Sequence, residues 1–271
     1  AMTSFSHTAY MRKWALDTGI PVMSIDYRLA PEYAYPVQLE ECWQAYRWAV
    51  KNAMRVGSLA ERIILIGDSA GGNLVAGLAL RAMAEGFRRP DMVIMAYPAL
   101  VIAKEPSCAR LLSTIDPMLN VNMLLNILNM YYTVGNADAK DAYMSPAFAS
   151  DEALAQFPTT RLLLGQFDPL LDDSVLFARR LEKVNHPDTI VSVRPGLGHG
   201  FLNLLDISPE ANEAVALVSV WILEQMTAWG YRSAVLSSRK GNMNLPVAQL
   251  VTETPVETNH HERTPLKRIN S

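Results

Sequence analysis

The sequence contains little cysteine, and its start lacks a continuous apolar run. Only Cys42 and Cys108 occur among the 271 residues, and one possible pair cannot supply the disulfide framework of a small secreted domain. Arg12, Lys13 and Asp17 interrupt the first twenty residues, which therefore lack the apolar core of a signal peptide. We predict a protein of a reducing, cytoplasmic compartment.

Long basic runs and membrane-spanning segments are also missing from the sequence. The formal net charge is −3 and Lys and Arg form no long run, so we expect no nucleic-acid partner. No stretch reaches the roughly 18 consecutive apolar residues that span a bilayer. Any contact with a membrane or a lipid-droplet surface is therefore expected to be peripheral.

The composition that remains is that of a globular chain with one substantial core, 50% hydrophobic and 19% charged. Short apolar runs alternate with helical patterns, which is typical of βα units around a parallel sheet. We predict an α/β fold with a mostly parallel sheet and helices on both faces. The predicted strands cover residues 21–26, 62–66, 92–97, 161–164 and 189–193.

The helical patterns divide the chain further. Helices are predicted from Met11 to Gly19 and over residues 39–50, 72–84, 172–184 and 209–229. Residues 111–132 are helical, rich in Leu and Met, and uninterrupted by a strand, so we predict an inserted cap at about 104–150. We expect residues 1–232 to form one α/β domain and the polar residues 233–271 to form a disordered tail.

One pentapeptide carries the strongest chemical signal in the sequence. Gly67-Asp68-Ser69-Ala70-Gly71 matches G-x-S-x-G and lies between a predicted strand and a predicted helix. That context is typical of a nucleophile elbow, a strained turn that presents the serine hydroxyl above a sheet. We expect glycine at Gly67 and Gly71 because a Cβ at either position would crowd the turn. A plain strand-to-helix turn is the alternative.

A serine hydroxyl is a weak nucleophile unless a base takes its proton and a third group orients that base. In proteins with this elbow, an acid and then a histidine follow the serine, each on a loop after a strand. Asp168 and His199 have those positions. Asp172 and Asp173 are alternative acids, although both fall where a helix begins and suit its N-terminal cap. The other four histidines lack a loop position of this kind: His7, His186, His260 and His261.

With these residues placed, the chain resembles the hormone-sensitive lipase family of α/β-hydrolases over nearly all of residues 1–232. The segments 111–118 and 168–181 look closer to the animal acylglycerol and steryl ester lipases than to microbial esterases. The motifs that carry the resemblance are GDSAGGNL at 67–74, DYRLAPE at 26–32, DPLLDDS at 168–174 and HGF at 199–201.

The resemblance implies an ester hydrolase that works through an acyl-enzyme and needs neither a cofactor nor a metal. Its implied substrates are acylglycerols or steryl esters. It assigns Ser69 as the nucleophile, His199 as the general base and Asp168 as the orienting acid. The backbone N–H of Ala70 is implied as one oxyanion donor. Supporting rather than catalytic roles are implied for Gly67, Asp68, Gly71, Tyr27 and Glu32.

The chain departs from the family pattern in two places. The family has a His-Gly-Gly-Gly motif just before the segment matching residues 1–14, and a strand before it in the middle of the sheet. We therefore expect N-terminal strands and two oxyanion donors to be missing, and one donor is typically worth about 100 to 1,000-fold in turnover. The segment 132–161 is short where animal members carry a regulatory insertion, so control through such an insertion is in doubt.

Two other functions remain open from the sequence. One is an inactive or binding protein, as in the plant gibberellin receptors of this fold, although those have lost the catalytic histidine. The other is a small-ester carboxylesterase or an amide hydrolase with the same triad, because pocket shape sets acyl preference. Met118, Met123 and Met130 either line a pliable acyl pocket or pack the cap.

Overall fold

A sheet of four parallel strands forms the centre of the fold in a computed structural model that describes residues 3–113, 116–132 and 139–231. The strands lie side by side in chain order, β1 to β4, and each pairs in parallel with the next. This arrangement confirms the predicted α/β class. The strands are β1 (Ile64–Asp68), β2 (Met92–Ala96), β3 (Thr159–Gly165) and β4 (Thr189–Arg194).

Eight α-helices connect and flank these strands in the described ranges. Gly19 ends the first helix in the left-handed conformation, with φ of 71°, which glycine adopts without a steric penalty. Asn120 and Ser208 cap two later helices by accepting a backbone N–H with the side-chain oxygen. The helices are α1 (Thr8–Thr18), α2 (Val37–Lys51), α3 (Ala70–Ala84), α4 (Cys108–Leu112), α5 (Val121–Tyr131), α6 (Asp151–Ala155), α7 (Leu171–Lys183) and α8 (Pro209–Ala228).

Successive residues of β2 face opposite sides of the sheet, and both sides are covered. Ile94 packs against α1 and α8, whereas Met95 packs against α3 and α7. All five residues of β2 are at most 3% exposed, as expected for a central parallel strand with helices on both faces. The helices α2 and α3 share a further apolar cluster that includes Trp43 and Leu78.

The strand predicted over residues 21–26 is wrong. That segment has no regular secondary structure, and β1 is an edge strand of the sheet in the described part of the chain. A strand exists only where a neighbour completes its hydrogen-bond ladder, and no described strand offers one to this segment. The next strand, predicted at residues 62–66, is observed two residues later as β1 (Ile64–Asp68). The N–H of Ile63 donates to the Asp91 side chain, outside the ladder of the sheet.

Between β2 and β3 the described residues form helices α4, α5 and α6 and no strand. The first two of these helices lie within the range predicted for a cap. Arg110 of α4 is buried, and its guanidinium donates to the carbonyls of Val101 and Ala103 and, at 2.8 Å, to Asp173 Oδ2 on α7. Burial raises the pKa of Asp173 to about 6, although Arg110 acts in the opposite direction.

This pair predicts a pH-dependent loss of stability in Arg110→Ala. The substitution leaves a buried carboxylate without its cation, which typically costs about 3 kcal/mol or more. Removing Arg110 should raise the pKa of Asp173 further above its value in the unfolded chain. The folded variant then holds a proton that the unfolded chain has released, so its stability falls as the pH rises. Denaturant unfolding should therefore show a larger loss at about pH 8 than at about pH 5.

The matched control is Arg89→Ala, because Arg89 is exposed and donates to a single carbonyl, that of Gln156. It should change the free energy of unfolding by less than about 0.5 kcal/mol. Equal losses in the two variants would contradict a stabilising role for the buried pair.

Candidate active site

The chain turns sharply at Ser69, between the end of β1 and the start of α3. Ser69 has φ of 54° and ψ of −118°, a conformation that side-chain-bearing residues rarely adopt and that costs on the order of 1–3 kcal/mol. Hydrogen bonds hold the turn: the Ser69 N–H donates to Ala96 O at 2.9 Å, and the Asn73 N–H donates to Ser69 O at 3.1 Å. The strained serine is therefore fixed at the carboxyl end of the sheet.

The glycines around the turn differ in what they require. A Cβ on Gly67 would lie 2.3 Å from the carbonyl oxygen of Gly71, so glycine is needed there as expected. The same expectation for Gly71 is wrong, since a Cβ there would meet only Asp68 Oδ1, at 3.9 Å. The second constrained position is Gly72, where a Cβ would lie 2.7 Å from Pro98 Cβ after β2.

Ser69, His199 and Asp168 come together at this edge of the sheet. Ser69 Oγ lies 2.8 Å from His199 Nε2, and His199 Nδ1 lies 2.9 Å from Asp168 Oδ2. Asp168 is 2% exposed, and its other oxygen accepts the Leu170 N–H at 2.7 Å. Ser69 follows β1, His199 follows β4 and Asp168 follows β3, and parallel strands present the loops after them at one edge of the sheet.

The alternative acids face elsewhere. Asp172 Oδ2 accepts the N–H of Ala109, and Asp173 pairs with Arg110, so both carboxylates contact α4 rather than His199.

The alternative histidines contact partners other than the Ser69 hydroxyl. His186 contacts Thr189 Oγ1 and the carbonyl of Phe157. His7 contacts the Tyr10 hydroxyl and lies 3.5 Å from Asp68 Oδ1. His260 and His261 lie outside the described residues, as does the segment 233–271 for which a disordered tail is predicted.

Two tyrosines that the sequence patterns did not single out lie behind the triad. The hydroxyls of Tyr10 and Tyr97 donate to the two oxygens of Asp68, at 3.0 Å and 3.4 Å. Burial raises the pKa of both tyrosines, and the Asp68 carboxylate raises it further, so both hydroxyls keep their protons. The Tyr97 ring also packs edge-on against the His199 ring, with centroids 4.9 Å apart. The sequence signal that could have identified Tyr97 is its position directly after β2, at the same edge of the sheet as Ser69.

The remaining predicted site residues lie around this group. Ala70 is the first residue of α3, where backbone N–H groups have no intrahelical acceptor and the helix dipole favours negative charge. Tyr27 is partly buried, whereas Glu32 is exposed, and no described hydrogen bond joins Glu32 to Ser69, Asp168 or His199.

The three methionines of the cap region do not form its core. Met118, Met123 and Met130 are 44%, 49% and 42% exposed, whereas the buried core there contains Leu124 and Leu128. The end of the Met118 side chain lies next to Gly200, the residue after the histidine. The packing interpretation therefore does not describe these side chains, and Met118 lies beside the residue that follows His199.

Comparison with known families agrees with this arrangement. Residues 1–203 match the family model described as the alpha/beta hydrolase fold. The chain belongs to the α/β-hydrolase fold family. Within it, the sequence is similar to the hormone-sensitive lipases. It is 36% identical to the one of Ictidomys tridecemlineatus, over 96% of this chain and 33% of the relative. It is 42% identical to the one of Mus musculus, over 72% of this chain and 26% of the relative.

Smaller relatives and solved structures agree with that assignment. An ethyl acetate hydrolase of Pseudomonas putida is 32% identical over 79% of this chain and 66% of its own length. The crystal structure of an esterase from Pyrobaculum calidifontis superposes with a TM-score of 0.77 at 29% identity, covering 83% of this chain and 72% of the other. The chain spans a third or less of the length of the hormone-sensitive lipases it matches. No helix in the described ranges is long and apolar enough to cross a membrane.

The elbow geometry predicts opposite outcomes for two glycine substitutions. Gly67→Ala forces a Cβ against the Gly71 carbonyl, so we expect a loss of about 1–3 kcal/mol in the free energy of unfolding. Gly71→Ala meets no close contact, and we expect a change within about 0.5 kcal/mol. Urea denaturation of both variants measures the difference, and equal losses would contradict the backbone contact at Gly67.

Proposed function

We propose that this chain is a serine carboxylic ester hydrolase in which Ser69 is the nucleophile. The observation that carries the proposal is the continuous path of two hydrogen bonds from Ser69 through His199 to Asp168. With Asp168 accepting the Nδ1–H, the unprotonated Nε2 faces the serine hydroxyl and can receive its proton. Lipases and esterases among the relatives support the same reaction class.

The reaction follows from these positions. Ser69 Oγ attacks the ester carbonyl carbon while His199 Nε2 takes the hydroxyl proton, and the carbonyl oxygen becomes a tetrahedral oxyanion. The C–O bond to the alcohol then breaks, and His199 returns the proton to the leaving alkoxide. A water molecule repeats the sequence on the acyl-enzyme, which releases the carboxylic acid. Asp168, almost fully buried, stabilises the imidazolium that forms in each half-reaction.

The Ala70 N–H is our proposed donor to the oxyanion. It starts α3 directly after Ser69, so the helix dipole and an N–H without an intrahelical acceptor face the side on which charge develops. Gly67 and Asp68 support the turn that places this N–H. Gly67 allows the close approach of the Gly71 carbonyl, and Asp68 accepts the hydroxyls of Tyr10 and Tyr97.

Acylglycerols or steryl esters are the substrates we propose, in a cytoplasmic protein that meets lipid droplets or membranes peripherally. The similarity to hormone-sensitive lipases supports this choice. Half-exposed Met118, Met123 and Met130 offer apolar surface in the cap region, with Met118 beside the histidine loop, and methionine adapts to irregular apolar ligands. We place the catalytic domain at residues 1–232, with the cap at about 104–150.

A small-ester carboxylesterase is the second candidate. This chain covers 66% of the ethyl acetate hydrolase relative but 33% of the hormone-sensitive lipase of Ictidomys tridecemlineatus. A binding protein without catalysis is disfavoured, because a receptor has no need for a serine, a histidine and a carboxylate in hydrogen-bond contact.

The serine assignment predicts the outcome of Ser69→Ala. Without the nucleophile, hydrolysis of a short-chain chromogenic ester should fall by about 1,000-fold or more, because triad residues act as a unit. Ser208→Ala is the matched control: it removes the cap of α8, should cost about 1 kcal/mol of stability, and should leave turnover unchanged. Measurable turnover that is equal in the chain and in Ser69→Ala would contradict the proposal.

Two further arms resolve the remaining choices. Comparison of butyryl with long-chain acyl esters distinguishes the small-ester candidate from the lipid candidate, since only a lipase should prefer the longer chains. A second protein, with the His-Gly-Gly-Gly segment of a relative placed before residue 1, tests the oxyanion donors. If only that protein is active, further oxyanion donors come from the added segment. If neither is active while both fold, the binding interpretation replaces the esterase.

A further inference from the structure

A buried carboxylate from the cap region contacts the backbone of His199. Asp116 is 3% exposed and precedes α5. Its Oδ1 accepts the N–H groups of Met118 and Leu119, at 2.7 Å and 2.8 Å, and closes a tight turn of its own segment. Its Oδ2 accepts the N–H of His199 at 2.5 Å, across 83 positions of sequence. The charge of Asp116 is thus offset by three backbone donors from two segments.

The loop that carries His199 is enclosed between Asp116 and the end of β3. A Cβ on Gly198 would lie 2.7 Å from Asp116 Oδ2, so the carboxylate is in direct contact with the loop backbone. On the other side, a Cβ on Gly165 would lie 2.8 Å from the Leu197 carbonyl oxygen. That carbonyl also accepts the Phe167 N–H at 3.0 Å. Little space remains for the loop to shift while both contacts persist.

We propose that Asp116 is a positioning residue for His199, and that its contact makes the assembly of the triad depend on the cap segment. The catalytic part rests on the esterase function proposed above. The His199 ring must meet Ser69 and Asp168 together, and both bonds are near their ideal length. Fixing the backbone N–H of His199 fixes the origin of that side chain. Misplacement by about 1 Å in such a site is enough to cost about 100-fold in rate.

The same carboxylate also sets the position of Met118. Because Met118 donates to Asp116 and its side chain ends beside Gly200, the cap turn and the histidine loop move as one unit. A displaced cap therefore withdraws an N–H acceptor from His199. Catalytic geometry and the apolar surface offered to an acyl chain are coupled through one residue.

Two substitutions separate positioning from simple stability. Asp116→Ala removes all three acceptor contacts. Asp116→Asn keeps the size but has one oxygen, so it can serve either the cap turn or the His199 N–H and presents an NH₂ group to the other. Asp91→Asn is the matched control: Asp91 also accepts a backbone N–H, from Ile63, but it precedes β2 at the opposite end of the sheet from Ser69.

The test combines turnover with a spectroscopic signature in the full chain. We expect Asp116→Ala to lower kcat for a short-chain chromogenic ester by about 10 to 100-fold with KM changed less than about 3-fold. The strongly downfield proton resonance of the His199 Nδ1–H bonded to Asp168 should broaden or disappear. Asp116→Asn should show an intermediate effect on both, and Asp91→Asn should match the unsubstituted chain in both.

The readouts distinguish the failure of each proposal. If the unsubstituted chain and Ser69→Ala show measurable and equal turnover, the esterase proposal fails, and the resonance alone then decides whether Asp116 positions His199. A resonance and a kcat that survive in both Asp116 variants would overturn the positioning role. Should Asp116→Ala not fold, Asp116→Asn decides by the same criteria.

Discussion

The hydrogen bond between Ser69 Oγ and His199 Nε2 joins residues 130 positions apart, and the proposed ester hydrolysis depends on it. Neither residue is unusual alone, since a free serine hydroxyl is a poor nucleophile and a free imidazole a modest base. A contact of 2.8 Å between loops from different strands needs a rigid platform. The parallel sheet provides it, because β1 to β4 are paired in register and present their carboxyl ends at one edge.

Four carboxylates in this part of the fold, three of them buried and Asp68 partly buried, are each compensated by a different kind of donor. Asp68 accepts tyrosine hydroxyls, Asp116 accepts backbone N–H groups, Asp168 accepts the imidazole, and Asp173 pairs with Arg110. A charge withdrawn from water is tolerated only where such partners exist, so losing a partner destabilises the carboxylate that it contacts. Asp68, Asp116 and Asp168 thus connect Ser69 and His199 to the sheet, to α1 and to the cap region.

Local patterns in the sequence were sufficient for much of this arrangement. Alternating apolar runs gave four of the five strands nearly at their observed positions, and strand-end placement selected the three residues that meet in the structure. The strand predicted at residues 21–26 was wrong because strand formation depends on a neighbouring strand rather than on the apolar run alone. Gly72 and Asp116 were not found, since the reasons for both lie in contacts with distant segments, Pro98 and His199.

Trapping the acyl-enzyme tests the central claim most directly. The chain is mixed with a p-nitrophenyl ester, quenched in acid within the burst phase, and its mass is measured before and after proteolysis. A serine mechanism predicts one added acyl group, confined to the peptide that contains Ser69 and lost in Ser69→Ala. An adduct on another residue, or ester turnover with the Ser69 peptide unmodified throughout, would contradict the proposed role of Ser69.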